Sequence, residues 1–185
     1  MMENRSFDHL LGYLKTINPA VDGLTGSEYK NYPDPTTQQG QAVPVSDNAG
    51  FAMPFDPPHE FLDVQKQLYG PGLTDTVAKP SANPRVSPAP MNGFLYCGNQ
   101  VATANKIPAE GGRVMQCFAA GQVPCIMTLA QQFALFNFWY SSLPGPTWPN
   151  RFFVHAATSG GLSDSPSTTA IMGGIPSKTA PSTTP

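Results

Sequence analysis

The sequence predicts an α/β fold with a mostly parallel sheet and long loops. Residues 134–140 form an apolar and aromatic run with the length and composition of a buried strand. The chain also contains 21 prolines and 17 glycines in 185 residues, well above their usual combined share of about 12%, which predicts long loops at 31–58 and 71–90. Apolar residues recur at helical spacing in three segments: 7–14, 59–69 and 123–133.

The composition limits the classes of function. Charged residues make up 12% of the chain and the formal net charge is -2, so no basic surplus favours binding to nucleic acid or to an anionic membrane surface. No run approaches the roughly 20 apolar residues of a transmembrane segment. No signal peptide is visible, and the compartment stays open because an export signal would precede residue 1.

Three cysteines occur in the chain. An odd number excludes a fully paired framework within the chain, and no CxxC pattern supports a zinc ribbon. Two arrangements remain open, namely one disulfide with a spare thiol, or three buried thiols.

The first helix is predicted to begin near the N-terminus. One of its faces carries apolar residues at i, i+3, i+4 and i+7, which are Phe7, Leu10, Leu11 and Leu14. Either Asn4 or Ser6 suits the N-cap position. Residues 1–2 would then end a strand, which places Glu3 and Asn4 at a strand-to-helix turn.

A second helix is predicted over residues 59–69. Asp56 is a candidate N-cap and Pro57 suits the first helical position. Gly70 followed by Pro71 is a typical stop signal.

A helix over 123–133, the strand over 134–140 and a turn over 141–146 follow in order. Thr147 then caps a predicted helix over 148–158, and this order of elements is typical of α/β folds. In such sheets, ligands bind beyond the carboxyl ends of the strands.

Thr147 is the candidate nucleophile. A threonine at a helix N-terminus lies beside backbone N–H groups and positive potential, which together favour phosphate. Its hydroxyl can attack phosphorus if a divalent metal lowers its pKa. The plainer interpretation, favoured by position alone, is that Thr147 only caps its helix.

Glu3, Asn4 and His59 are the other candidates. The carboxylate and amide oxygens of Glu3 and Asn4 are hard donors that suit one divalent metal ion, although a solvated glutamate and a capping asparagine explain them equally well. His59 lies at a predicted helix start, where a neutral imidazole is favoured and suits hydrogen bonding to a phosphate or a leaving oxygen. A surface histidine is the alternative.

Two long motifs resemble one family. The sequence ENRSFDH at 3–9 resembles the opening motif of the phosphoesterase family that includes bacterial phosphatidylcholine-type phospholipases C and related acid phosphatases. The sequence SSLPGPTWPNR at 141–151 resembles that family's PGPT-x-PNR signature. Residues 93–94 and 114–118 resemble landmarks between them.

The resemblance implies a partial alkaline-phosphatase-like sandwich. It implies that Glu3 and Asn4 bind one divalent metal of unknown identity and that Thr147 is the metal-bound nucleophile. It also aligns His59 with a histidine that contacts the phosphoryl group in acid phosphatase relatives. The implied substrate is a phospholipid or a small phosphate ester.

The chain also departs from the family pattern. Relatives carry further acidic metal ligands and histidines downstream, and they have an aspartate where this chain has Asn137. We therefore expect an N-terminal fragment that is weakly active or inactive alone, with residues 1–160 as the first part of a catalytic domain and 161–185 as a truncated continuation. The alternatives to a phospholipase C-like diesterase are an acid phosphatase, a non-catalytic anion-binding domain, and a purely structural domain.

Overall fold

The computed structural model describes residues 6–72 and 88–173. Within these ranges the chain is mixed α/β, but its only sheet is one antiparallel pair of two-residue strands, so the predicted parallel sheet is not seen there. The strands are β1 (Lys30–Asn31) and β2 (Val43–Pro44). The α-helices are α1 (Phe7–Leu11), α2 (Phe61–Tyr69), α3 (Phe94–Ala104), α4 (Pro124–Gln132), α5 (Thr147–Ala156) and α6 (Thr168–Met172), and Gly12–Thr16 and Pro108–Met115 are 3₁₀ helices.

The described residues divide into two compact units. The larger unit takes in the described residues of 1–58 and 65–139, and the smaller takes in those of 59–64 and 140–185. His59 and Thr147 therefore belong to the same unit, the smaller one.

Helix α1 is capped by Ser6, as one of the two sequence alternatives predicts. The Ser6 Oγ accepts a hydrogen bond from the backbone N–H of His9 at 3.1 Å. The α-helix is shorter than the apolar pattern suggests, because the chain tightens into the 3₁₀ helix Gly12–Thr16. The predicted apolar face is nevertheless used, since Phe7 and Leu11 pack against a buried cluster formed by Leu14, Val21 and Met127.

A second cluster forms the other part of the core of the larger unit. The backbone near residue 117 runs beside the loop after β2, where the Cys117 N–H donates to the Ser46 carbonyl at 2.8 Å and the Ala49 N–H donates to the Cys117 carbonyl at 3.0 Å. These long-range bonds hold the segment that follows the 3₁₀ helix Pro108–Met115 against the loop after β2. The buried members of this cluster are Tyr13, Leu24, Val45, Met115 and Cys117.

Helix α2 ends where the sequence predicts. Gly70 adopts φ +87° and its N–H donates to the Lys66 carbonyl at 2.8 Å, a conformation that glycine adopts without a Cβ clash. The next described segment packs against this end of the helix, where the Gly93 N–H donates to the Gln67 carbonyl at 3.0 Å.

The predicted strand over 134–140 is wrong for the described part of the chain. Helix α4 confirms the predicted helix before it, but the residues that follow form turns and bends. Their aromatic side chains are exposed, with Trp139 at 78%. An apolar run becomes a strand only when neighbouring strands accept its backbone hydrogen bonds, and no described segment pairs with this one.

All three cysteines are free thiols. Cys97 and Cys117 are buried and Cys125 is exposed, so the expectation of three buried thiols holds for two of them. Burial, with a smaller contribution from the charge of Asp8, raises the pKa of the Cys117 thiol to about 12.

Thiol titration is expected to separate these cysteines. A disulfide reagent at pH 8 should modify one thiol, Cys125, in the native chain and three thiols in guanidinium, because a thiolate must form and be accessible before it reacts. Fast native modification of two or more thiols would contradict this burial. Because the Cys117 pKa is higher in the folded chain than its ordinary value of 9.0, its contribution to stability is intact below pH 9 and declines as the pH rises towards 12.

Helix length also bears on membrane insertion. Over the described ranges, no helix combines the length and the apolar character needed to cross a bilayer.

Candidate functional site

Helix α5 begins at Thr147 itself. The predicted helix is confirmed, but the prediction that Thr147 caps it is wrong, because Pro146 holds the N-cap position in an extended conformation (φ -74°, ψ 178°). The side chain of Pro146 makes no capping hydrogen bond. Thr147 therefore lies in the first turn, within the positive potential of the helix start.

The loop before α5 is held by one side chain. The Leu143 N–H donates to the Asn150 Oδ1 at 3.0 Å. The Asn150 Nδ2 is within hydrogen-bond distance of three carbonyl oxygens, those of Leu143 at 2.9 Å, Gly145 at 3.2 Å and Pro146 at 3.0 Å. Asn150 thus connects the first turn of α5 to both ends of the loop that leads into it.

His59 is exposed and lies two residues before α2. The prediction that Asp56 caps this helix and Pro57 begins it is wrong, since the helix begins at Phe61 and the Glu60 carbonyl accepts the Val64 N–H at 3.0 Å. Pro57 stands before another proline, and this position disfavours helical backbone.

The carboxylate of Asp164 caps α2 instead. The Phe61 N–H donates to Asp164 Oδ1 at 2.8 Å, and the Ser165 N–H donates to Glu60 Oε2 at 3.2 Å. An acidic side chain at a helix start satisfies a backbone donor and complements the helix dipole. Asp164 is the one acidic residue after Thr147 in the sequence, and this contact gives it a structural role.

Two substitutions at Asp164 are expected to separate its capping role from its charge. Asp164→Ala should lower the free energy of unfolding by about 1 kcal/mol, whereas Asp164→Asn keeps an acceptor and should cost only a few tenths of that value. Urea unfolding followed by circular dichroism would measure both. Equal losses for the two variants would show that the charge, rather than the hydrogen bond, matters.

The smaller unit places the loop before Thr147 beside the start of α2. A Cβ atom added to Gly145 would lie 3.5 Å from the Phe61 Cα and 3.3 Å from the Ser163 carbonyl oxygen. These are backbone-to-backbone approaches that a side chain at position 145 would crowd. The structure therefore brings the segment carrying Thr147 next to the segment that follows His59.

Of the three predicted metal ligands, the structure describes only Thr147. Glu3 and Asn4 lie outside the described residues, so their part in the site stays a prediction. Within 6–72 and 88–173, no group of three His, Cys, Asp or Glu side chains is arranged to hold a metal ion. The described residues thus supply only the Thr147 hydroxyl to the predicted shell, which falls short of the six oxygen ligands that Mg²⁺ or Ca²⁺ takes.

The stretch of sequence that leads to Thr147 is poor in charge. No charged residue occurs between Arg113 and Arg151 in the sequence. The Arg151 guanidinium lies 5.9 Å from the centroid of the Trp148 ring, so one cation is held over an aromatic face at the start of α5. Sequence reasoning did not single out this cation as a candidate phosphate contact.

Asn137 has a structural contact in the larger unit. Its Oδ1 accepts the Asp22 N–H and its Nδ2 donates to the Ala20 carbonyl, both at 3.2 Å. An aspartate there would keep the acceptor but lose the donor, so the amide suits this site better than the family's carboxylate.

Comparisons with known proteins agree with the two motifs. The family model described as "Phosphoesterase family" matches residues 1–183. Three similar proteins of Arabidopsis thaliana are non-specific phospholipase C1, at 38% identity over 181 residues, non-specific phospholipase C6, at 39% over 181 residues, and non-specific phospholipase C3, at 36% over 173 residues. The matches take in 97%, 97% and 94% of this chain.

The matched region is only part of each relative. It corresponds to 30% of non-specific phospholipases C1 and C6 and 31% of C3, so the chain spans about a third of the length of these relatives. Because the family model matches nearly every residue of the chain, this protein belongs to the phosphoesterase family.

Proposed function

We propose that this chain carries the nucleophile of a phospholipase C-like phosphodiesterase. The observation that carries the proposal is the position of Thr147, in the first turn of a helix whose N-cap residue, Pro146, makes no side-chain capping bond, inside a chain that matches the phosphoesterase family. Such a helix start attracts a phosphate group. The substrate class follows from the relatives, which are named phospholipases C.

The Thr147 hydroxyl attacks the phosphorus atom in line with the leaving alcohol. A bond forms between Thr147 Oγ1 and phosphorus and the bond to the leaving oxygen breaks, while the hydroxyl proton is lost to solvent and the leaving oxygen takes up a proton from solvent. Phosphorus keeps its second alcohol in this covalent intermediate. Water then breaks the bond between Thr147 Oγ1 and phosphorus and releases that alcohol as its phosphate monoester. The backbone at the start of α5 stabilises negative charge on the phosphoryl oxygens, and His59 donates a hydrogen bond to the phosphoryl group.

Glu3 and Asn4 complete the proposal as ligands of one divalent metal ion beside Thr147. When bound, such an ion lowers the pKa of the nucleophile and neutralises phosphoryl charge. With Thr147 they offer three donors, fewer than the six of a complete oxygen shell, so we expect slow turnover from this chain alone. Residues 1–160 form the first part of the catalytic domain in this proposal, and 161–185 continue it.

A chromogenic assay tests the function directly. The purified chain is stripped with a chelator, reloaded with Mg²⁺, Ca²⁺, Mn²⁺ or Zn²⁺, and given nitrophenyl phosphorylcholine or nitrophenyl phosphate. We expect slow release of nitrophenol that needs a metal and favours the diester. Preference for the monoester would instead support an acid phosphatase. Release that is unchanged by the chelator would contradict the metal-bound nucleophile.

A further inference from the structure

Asn150 is surrounded by backbone groups of a single loop. Its amide accepts one hydrogen bond and approaches three carbonyl oxygens, and all four backbone groups belong to residues 143–146. Two of these four loop residues are prolines, which have no N–H to donate. The loop therefore has few donors of its own to hold its carbonyls, and the Asn150 side chain supplies one.

The hydrogen bond to the Pro146 carbonyl also constrains the backbone of Thr147. The Pro146 carbonyl and the Thr147 N–H belong to one planar peptide group. Holding the carbonyl oxygen at 3.0 Å from the Asn150 Nδ2 fixes the orientation of that plane. The direction of the Thr147 N–H and the position of the Thr147 Cα are fixed with it.

We propose that Asn150 is a positioning residue that orients Thr147 for attack on phosphorus by clamping the loop 143–146 and the peptide plane before Thr147. The inference rests on the proposed role of Thr147 as nucleophile. It calls for an amide at position 150, because an amide both accepts from the Leu143 N–H and donates to the carbonyls. A carboxylate would face three carbonyl oxygens with no proton to share.

Magnetic resonance of the full 185-residue chain tests the clamp without any turnover. In the native chain, the Leu143 N–H should exchange with solvent at least about tenfold more slowly than in Asn150→Ala. The three-bond couplings of Thr147 should report one φ and one χ1 value. In Asn150→Ala, those couplings should average while the far-ultraviolet circular dichroism is unchanged. Unchanged Thr147 couplings in this variant would overturn the positioning role.

Kinetics with nitrophenyl phosphorylcholine test the consequence for attack. Asn150→Ala should lower kcat by about 100-fold and change KM by less than about threefold, because an imprecisely held nucleophile affects the transition state more than binding. Asn150→Asp should lower kcat by at least the same factor. Asn137→Asp is the matched control, with the same chemical change at an amide outside the loop, and should keep kcat within about twofold.

The clamp and the proposed phosphoesterase function can fail separately. A native chain without turnover but with averaged Thr147 couplings in Asn150→Ala would leave the clamp intact and contradict the slow turnover proposed for this chain. Averaged couplings with unchanged kcat would show that the clamp does not serve attack. An equal loss of kcat in Asn137→Asp would show that either amide acts only through general stability.

Discussion

Replacing Thr147 with valine is expected to abolish formation of a phosphoenzyme and to lower phosphodiester turnover by at least about 10³-fold. Valine keeps the branched shape of threonine and removes only the hydroxyl. Because the proposed cycle needs a bond between the oxygen of this side chain and phosphorus, a residue without a hydroxyl at this position cannot replace Thr147. The measurement is nitrophenol release from nitrophenyl phosphorylcholine, together with the mass of the chain after an acid quench, which should show an added phosphorylcholine group only when Thr147 is present.

Two further variants make the Thr147 result specific. Thr147→Ser keeps a hydroxyl at the same backbone position and should retain a measurable rate and the phosphorylated species. Thr103→Val makes the same change on an exposed position of α3 and should leave turnover within about twofold. If Thr147→Val turned over as fast as the native chain, the nucleophile would lie elsewhere and the proposed mechanism would be wrong.

Replacing Gly93 with alanine is expected to produce the largest loss of stability. A Cβ at this position would overlap the Lys66 carbonyl oxygen, and it would lie 2.8 Å from the Lys66 carbonyl carbon and 3.1 Å from the Gln67 Cα. These are backbone atoms of α2 that a small rotation cannot move aside. The start of α3 must therefore shift away from α2, at a cost of about 3 kcal/mol.

Thermal unfolding measures the Gly93 effect. About 3 kcal/mol corresponds to a fall in Tm of roughly 6–12 °C for a chain of this size. Circular dichroism in the far ultraviolet monitors the unfolding. Gly121→Ala is the matched control, because a Cβ there would meet nothing within 4 Å, and its Tm should stay within about 2 °C. A Gly93→Ala variant as stable as the control would show that α2 and α3 are not packed this closely.

The elements that the sequence predicts correctly are those set by local signals. The Ser6 cap, the Gly70 stop and helix α4 each depend on residues within a few positions of one another. The beginning of α2 was missed for the opposite reason. Its cap comes from Asp164, 103 positions away, and no local pattern at residues 56–60 carries that information.

The predicted strand over 134–140 shows why composition alone does not determine a strand. Its residues have the apolar and aromatic character of a buried strand, yet Phe136 and Phe138 are 61% and 65% exposed. A helix satisfies its own backbone, whereas a strand needs neighbours. The α/β class was therefore right at the level of mixed elements, whereas the mostly parallel sheet is not seen in the described residues.

The candidate site was predicted in part. Thr147 is found at the start of a helix, as its sequence setting indicates, and it shares a compact unit with His59. Asn150 lies within the second motif but was given no role, because its partners are backbone atoms whose convergence depends on the loop conformation. The roles of Glu3 and Asn4 stay predictions.

The two tryptophans have a practical consequence for future experiments. Trp139 is 78% exposed and Trp148 is 37% exposed, and the chain contains no other tryptophan. Intrinsic fluorescence is therefore a poor reporter of core melting in this protein. The same arrangement makes Trp139→Phe a variant with a single tryptophan, whose emission comes from the residue next to Thr147, so phosphate titrations can be followed optically at the proposed site without an added dye.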